Sequence, residues 1–153
     1  MSESIKTRFW RYGLNFFPAF RGTGAKITYI SQDFREVKLK LPLNWRTKNY
    51  VGTIFGGSMF ASTDPLYLVM LIQVLGPSYI VWDKASAIRY KKPGRTTLYA
   101  KAVLEDAEIE FIRNELTCKP KIDRIYQIDL VDVNDVVHAS IEKKLHIRKK
   151  ENT

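Results

Sequence analysis

From Gly56 to Trp82 the chain has no lysine or arginine, and residues 57–75 read GSMFASTDPLYLVMLIQVL, with Asp64 as the one charged side chain. A helix made from this stretch is apolar on every side, so it is stable only where other elements cover it. The flanking sequence offers the cover. Lys26-Ile-Thr-Tyr-Ile30 and Val37-Lys-Leu-Lys-Leu41 read as half-buried strands, as do Tyr79–Lys91, Thr96–Leu104, Ile122–Val133 and Val136–Arg148. Lys92-Pro93-Gly94-Arg95 and Asn134-Asp135 supply turns, and Ile109, Ile112 and Leu116 suggest a short helix. The predicted class is α+β: about six antiparallel strands, strongly curved, wrapped around one long central helix. Pro65 should bend that helix near its middle, and Gly76-Pro77 should end it.

The same stretch is long enough to span a bilayer, but Asp64-Pro65 and Gly76-Pro77 interrupt it and amphipathic strands surround it. A buried central helix is the simpler expectation, with no membrane span. Upstream, Ile5, Phe9, Tyr12 and Phe16 recur at helical spacing, with Ser4 as a cap and Pro18 as a stop, so residues 4–17 are predicted to form an extra amphipathic helix. Its basic face is free to touch lipid, or the helix packs on the domain with Lys and Arg solvated; the second is the ordinary arrangement. No linker or repeat divides the sequence, so residues 1–153 are expected to form one domain, with a core over 25–148 and a frayed polar tail, Lys149–Thr153. The basic, interrupted N-terminus does not read as a signal peptide.

A net charge of +9 points to an anionic partner without choosing among a phosphorylated small molecule, nucleic acid and a membrane surface. The basic run Lys143, Lys144, Arg148, Lys149 and Lys150 comes with no nucleic-acid fold signature, so it reads as solvated charge, and no nucleic-acid partner is expected. The single cysteine, Cys118, excludes an internal disulfide and fits a reducing, cytoplasmic setting. His138 and His146 do not stand at a metal-ligand spacing, and no metal is expected.

Chemistry is best sought where the apolar helix begins. Asn49, Gly52-Thr53 and Phe55-Gly56-Gly57 lead into it, and Asp64 follows seven residues after the second glycine. A glycine pair at a helix mouth offers backbone N–H groups for a polarised carbonyl, and an acid two turns in offers a carboxylate. Among Met59, Phe60, Leu66 and Tyr67, that acid should lose hydration and become a better base. Other uses stay open: the glycines for tight turning, Asn49 for holding its loop, and Asp64 for satisfying an N–H freed at the Pro65 bend.

This ordered set, with Ile88-Arg89-Tyr90-Lys91-Lys92-Pro93-Gly94 following as an I-x-Y-x-x-P strand and turn, resembles the hotdog-fold acyl-CoA thioesterase superfamily and its phenylacetate-pathway group. The departure is Phe55, where that group has histidine. Leu14-Asn15-Phe16-Phe17-Pro18, together with Phe55-Gly56-Gly57 and Thr63-Asp64-Pro65, resembles a functionally uncharacterised, thioesterase-like hotdog branch more than the phenylacetate enzymes. The resemblance implies a homodimer or homotetramer hydrolysing an acyl thioester at a subunit interface, with CoA entering only as part of the substrate and no other cofactor. It implies Gly56 as the oxyanion donor, Asp64 of the facing subunit as base or nucleophile, and Asn49 as the group positioning water or loop. Asp83 falls where some relatives carry a water-assisting serine, although pairing with Lys84 or a neighbouring strand explains it as well. Phe55, Gly57 and Tyr90 would line the substrate, and Lys91, Lys92 and Arg95 would meet CoA phosphates unless they are a solvated basic turn. Without the histidine, a non-catalytic acyl-CoA or lipid binder is the alternative.

Overall fold

A computed structural model describes residues 2–151; Asn152 and Thr153 of the expected polar tail lie outside the described residues. Strands β1 (Lys26–Ile30), β2 (Glu36–Leu41), β3 (Tyr79–Tyr90), β4 (Leu98–Val103), β5 (Lys121–Val131) and β6 (Val137–Lys149) form one antiparallel sheet in the order β1-β2-β4-β5-β6-β3. Each strand lies within a few residues of its predicted span. The last strand consumes part of the supposed tail, since Lys149 pairs with Tyr79 and the Lys150 N–H donates to Ser78 O at 2.9 Å.

Alternation decides which face is covered. Val37, Leu39 and Leu41 of β2, Leu98, Ala100 and Ala102 of β4, Ile128 and Leu130 of β5, and Ile141, Leu145 and Ile147 of β6 are all buried at every second position. The 57–75 stretch folds as two helices in succession, α3 (Gly56–Ser62) and α4 (Pro65–Leu75), and Leu66, Met70 and Leu71 of α4 are almost wholly enclosed by the core. Pro65 causes the break: with no N–H of its own it starts α4, and Asp64 N–H bonds Ala61 O three residues back at 3.2 Å. The run Gly56–Leu75 is long and apolar enough to cross a membrane by length and composition, and half of its most apolar window is buried inside the fold. The wrapping is one-sided. Ile72 remains exposed and Leu68, Val69 and Val74 half-buried, so one flank of α4 is uncovered within a single chain.

Helix α5 (Asp106–Cys118) packs Ile109, Ile112 and Leu116 inward, and Glu108 fixes it to β5. Arg124 forks onto the Glu108 carboxylate at 2.8 and 2.6 Å, and the Tyr126 hydroxyl donates to it at 2.7 Å. Cys118 is exposed at the helix end.

At the N-terminus, α1 (Ile5–Phe16) begins at the predicted cap, where Ser4 and Thr7 form a reciprocal capping box, and Pro18 opens a short second helix, α2 (Pro18–Gly22). Its orientation reverses the ordinary arrangement. The side facing the sheet carries the buried Thr7 together with Arg11, Leu14 and Asn15, while Ile5, Phe9, Tyr12 and Phe16 face outward. Polar bonds fix this orientation: the Asn15 amide donates to Ile27 O at 2.9 Å and accepts from Ile27 N–H at 2.8 Å, and Arg11 forks onto Glu3.

Candidate functional site

The loop from Asn49 to Phe55 is tied at several points before α3 starts. The Asn49 carboxamide oxygen accepts from the N–H groups of Val51 and Thr53 at 3.1 and 3.0 Å, and its NH2 donates to the Thr53 hydroxyl at 2.9 Å. Ile54 N–H donates to Gly94 O at 2.8 Å, which joins this loop to the turn after β3. The first helical bond of α3 runs from Met59 N–H to Phe55 O, so the N–H groups of Gly56, Gly57 and Ser58 stand at the open helix mouth. Both glycines admit close neighbours. A Cβ on Gly56 would lie 2.7 Å from the Tyr90 hydroxyl, and one on Gly57 would lie 2.4 Å from the Phe55 ring.

A cavity of about 530 Å³ opens here, lined by Asn49, Phe55, Gly56, Gly57 and Tyr90, with Lys91 and Lys92 at its edge. Seven of the predicted site residues therefore share one pocket. Arg95 is exposed and does not line it. The pocket's outer wall is braced by His138, whose Nδ1 meets Pro93 O at 3.0 Å and whose Nε2 meets Asp132 Oδ2 at 3.1 Å. That contact, with the N–H groups of Asn134 and Val136, holds the Asp132 carboxyl below its ordinary value. His138 O accepts from the N–H groups of Lys91 and Lys92, so this histidine is a strut for the basic turn.

Asp64 lies elsewhere. It lines a second cavity, about 430 Å³, between the N-terminal helices and the sheet, with Phe17, Phe60, Ser86 and Lys143. The expected loss of hydration is not found: its side chain is 63 % exposed, because the break at Pro65 turns it out of the core. It caps no N–H at that bend. Its Oδ1 instead receives the Lys143 ammonium at 2.9 Å, and the same nitrogen donates to Asp64 O at 2.9 Å and meets Asp83 Oδ1 at 2.7 Å. The three N–H bonds of the ammonium are thus matched by three oxygens.

Lys143 is the residue that sequence reading misplaced. Assigned to a solvated basic run, it is 1 % exposed and stands in the inward row Ala139, Ile141, Lys143, Leu145, Ile147 of β6. A lysine in the apolar phase of a central strand was the available signal. Asp83 reaches it because β3 bulges at Lys84: Asp83 pairs with Leu145 and Ala85 with Lys144, so Val81 and Asp83 before the bulge share the inward face with Ser86 and Ile88 after it. Lys84 turns away to Asp123 at 2.6 Å. His146 also pairs with Asp123, at 2.9 Å, and these contacts hold the Asp123 carboxyl at about 2.

Solved structures with this architecture include a protein of unknown function from Pseudomonas aeruginosa described as a probable thioesterase, with a TM-score of 0.83 and 18 % identity over 97 % of this chain and 99 % of that one. A protein of unknown function from Chlorobaculum tepidum superposes with a TM-score of 0.74 at 13 % identity, covering 95 % of each chain. A thioesterase from Haemophilus influenzae gives 0.69 at 14 % identity, covering 97 % of this chain and 93 % of its own. At these identities the likeness establishes the fold, which is the thioesterase-like hotdog expected from the sequence. No curated protein matches the chain. In sequence, the family described as Domain of unknown function (DUF4442) matches residues 6–147, and this chain belongs to that family.

Proposed function

We propose that this protein hydrolyses an acyl-CoA-type thioester at a site completed by a second copy of the chain. The observation that carries the reading is the separation of two complementary halves. The pocket at the α3 mouth has helix-end N–H groups, apolar walls and flanking lysines but no acid, whereas Asp64 faces a different cavity with Oδ2 free of any partner among the described residues. Strand β3 offers the means of joining them. It is a twelve-residue edge strand, mostly exposed, whose outer backbone groups can pair antiparallel with the same strand of another copy.

In this reading the thioester carbonyl lies against Gly56 N–H, and the partner's Asp64 takes a proton from water as the water oxygen attacks the carbonyl carbon. The tetrahedral oxyanion collapses, the C–S bond breaks, and the thiolate leaves with the proton. Lys91 and Lys92 meet the CoA phosphates, Phe55 and Tyr90 border the acyl sulfur, and Asn49 acts by holding the loop. Asp83 positions Lys143, which in turn orients Asp64. The chemistry calls on no cofactor beyond the CoA carried by the substrate, and the setting is cytoplasmic.

Two observations favour a second reading, a non-catalytic acyl-CoA or lipid binder: the acid is tied to an ammonium, and Phe55 stands where the phenylacetate-pathway group has histidine. CoA release from a panel of acyl-CoAs by wild type, Asp64→Ala and Asp64→Asn separates the two. A loss of at least about 100-fold in both variants is expected for a general base. Full activity in either variant refutes the role, and stable acyl-CoA complexes without turnover in native mass spectrometry select the binder.

A further inference from the structure

Helix α1 presents its apolar stripe to solvent. Ile5, Phe9 and Phe16 each expose more than two thirds of their surface, and Tyr12 exposes half. An aromatic stripe held outward by polar bonds on the opposite side needs a partner of its own. The charges around it indicate which kind. No aspartate or glutamate occurs between Ser4 and Gln32, whereas Lys6, Arg8, Arg21 and Lys26 do, and the adjacent Glu3 is neutralised by Arg11 on the opposite side of the helix.

We propose that α1 docks on an anionic lipid bilayer, with Ile5, Phe9, Tyr12 and Phe16 below the headgroups and the flanking basic residues at the phosphates. The geometry fits an interfacial helix lying in the membrane plane. On one flank Tyr12 and Phe16 border a groove of about 540 Å³ with Arg21, Lys26 and Arg46, and Arg46 is anchored by donation to Arg21 O at 3.1 Å. Trp45, next to Arg46, is 86 % exposed and adds an interfacial aromatic. On the other flank Phe9, Trp10, Leu14 and Phe17 line an apolar groove of about 410 Å³ kept open at Gly13, where an added Cβ would meet nothing within 4 Å. Leu14 and Phe17 also wall the cavity that holds Asp64, so apolar surface runs without interruption from the docking face to that cavity.

The docking rests on α1 and its surroundings, independently of the hydrolase reading. It is tested by sedimentation with vesicles of phosphatidylcholine alone and with about one third phosphatidylserine. Wild type should bind the anionic vesicles, Lys6→Gln/Arg8→Gln should bind about 25-fold more weakly, and Phe9→Ser/Phe16→Ser should lose at least about tenfold. Unchanged binding by Phe9→Ser/Phe16→Ser overturns the proposal, as does wild type that ignores both vesicles. A fall in solution mass in that variant, with no vesicle binding by wild type, assigns the face to a contact between copies. Hydrolysis of a soluble short-chain acyl-CoA should be unchanged in Phe9→Ser/Phe16→Ser, and wild type that binds vesicles but releases no CoA keeps this inference while removing the hydrolase.

Discussion

Lys143→Met removes a buried ammonium and leaves its two carboxylates behind. Asp64 and Asp83 are each held within 3 Å of the same nitrogen, so without it they stand less than about 6 Å apart and repel by about 1–3 kcal/mol near the protein surface. Breaking a fully buried pair costs about 3–5 kcal/mol; here the Asp64 side chain is largely exposed and Asp83 partly so, and water recovers a share, which brings the expected loss to about 2–3 kcal/mol. For a chain of this size that lowers Tm by about 4–12 °C. Urea unfolding of wild type, Lys143→Met, Asp83→Asn and the double variant reads the coupling. Asp83→Asn should destabilise the wild type yet restore part of the loss in the Lys143→Met background. Equal effects of Asp83→Asn in both backgrounds, or a Lys143→Met protein melting with wild type, would refute the three-way clamp.

Gly56→Ala should leave stability within about 1 kcal/mol of wild type, because the side chain it meets is the half-exposed, displaceable end of Tyr90. It should nonetheless lower CoA release by at least about tenfold, since the methyl group occupies the space where a carbonyl meets the helix mouth; thermal melts beside kinetics check both, and full activity removes Gly56 from the site. Burial alone would push the Glu108 carboxyl up, but the Arg124 fork and the Tyr126 hydroxyl outweigh it and hold it below its ordinary value. Its stability contribution is therefore complete above the unfolded value of about 4.3 and is lost as pH falls through the lower folded value. Urea midpoints of wild type and Glu108→Gln should converge below that range, and a gap independent of pH would refute the linkage.

The fold was legible because its burial pattern is regular. Val37-Lys-Leu-Lys-Leu41 alternates in sequence as it alternates in the sheet, and the Gly56–Leu75 run had no stable place outside a wrapped core. What alternation could not reveal was phase. The stripe Ile5, Phe9, Tyr12, Phe16 identified a helix, but the reciprocal pair of hydrogen bonds between Asn15 and Ile27, with Arg11 holding a Glu3 carboxylate that also bonds the Ile30 backbone, set which side faces the sheet, and such bonds leave no periodic trace. The bulge at Lys84 is likewise silent in the sequence, yet it brings Asp83 and Ser86 to the same face.

The site divided along the same line. Contiguous residues, Asn49 through Gly57 and Tyr90 through Lys92, converge because loop and turn are joined by the bond from Ile54 to Gly94. Asp64 is only seven residues from Gly57, but the break before Pro65 directs it into a different cavity and onto a lysine from β6. A lone acid in an apolar helix implied a counter-charge from some other element, since a carboxylate there must be solvated or paired. Lys143 was the one basic residue of its run standing in the inward phase of β6 between Ile141 and Leu145, so the pair was present in the sequence as two unexplained charges. Within one chain the pocket with the N–H groups has no acid, and the acid faces a cavity without them. The exposed edge of β3 and the uncovered flank of α4 are where a second copy would have to sit to bring the two halves together.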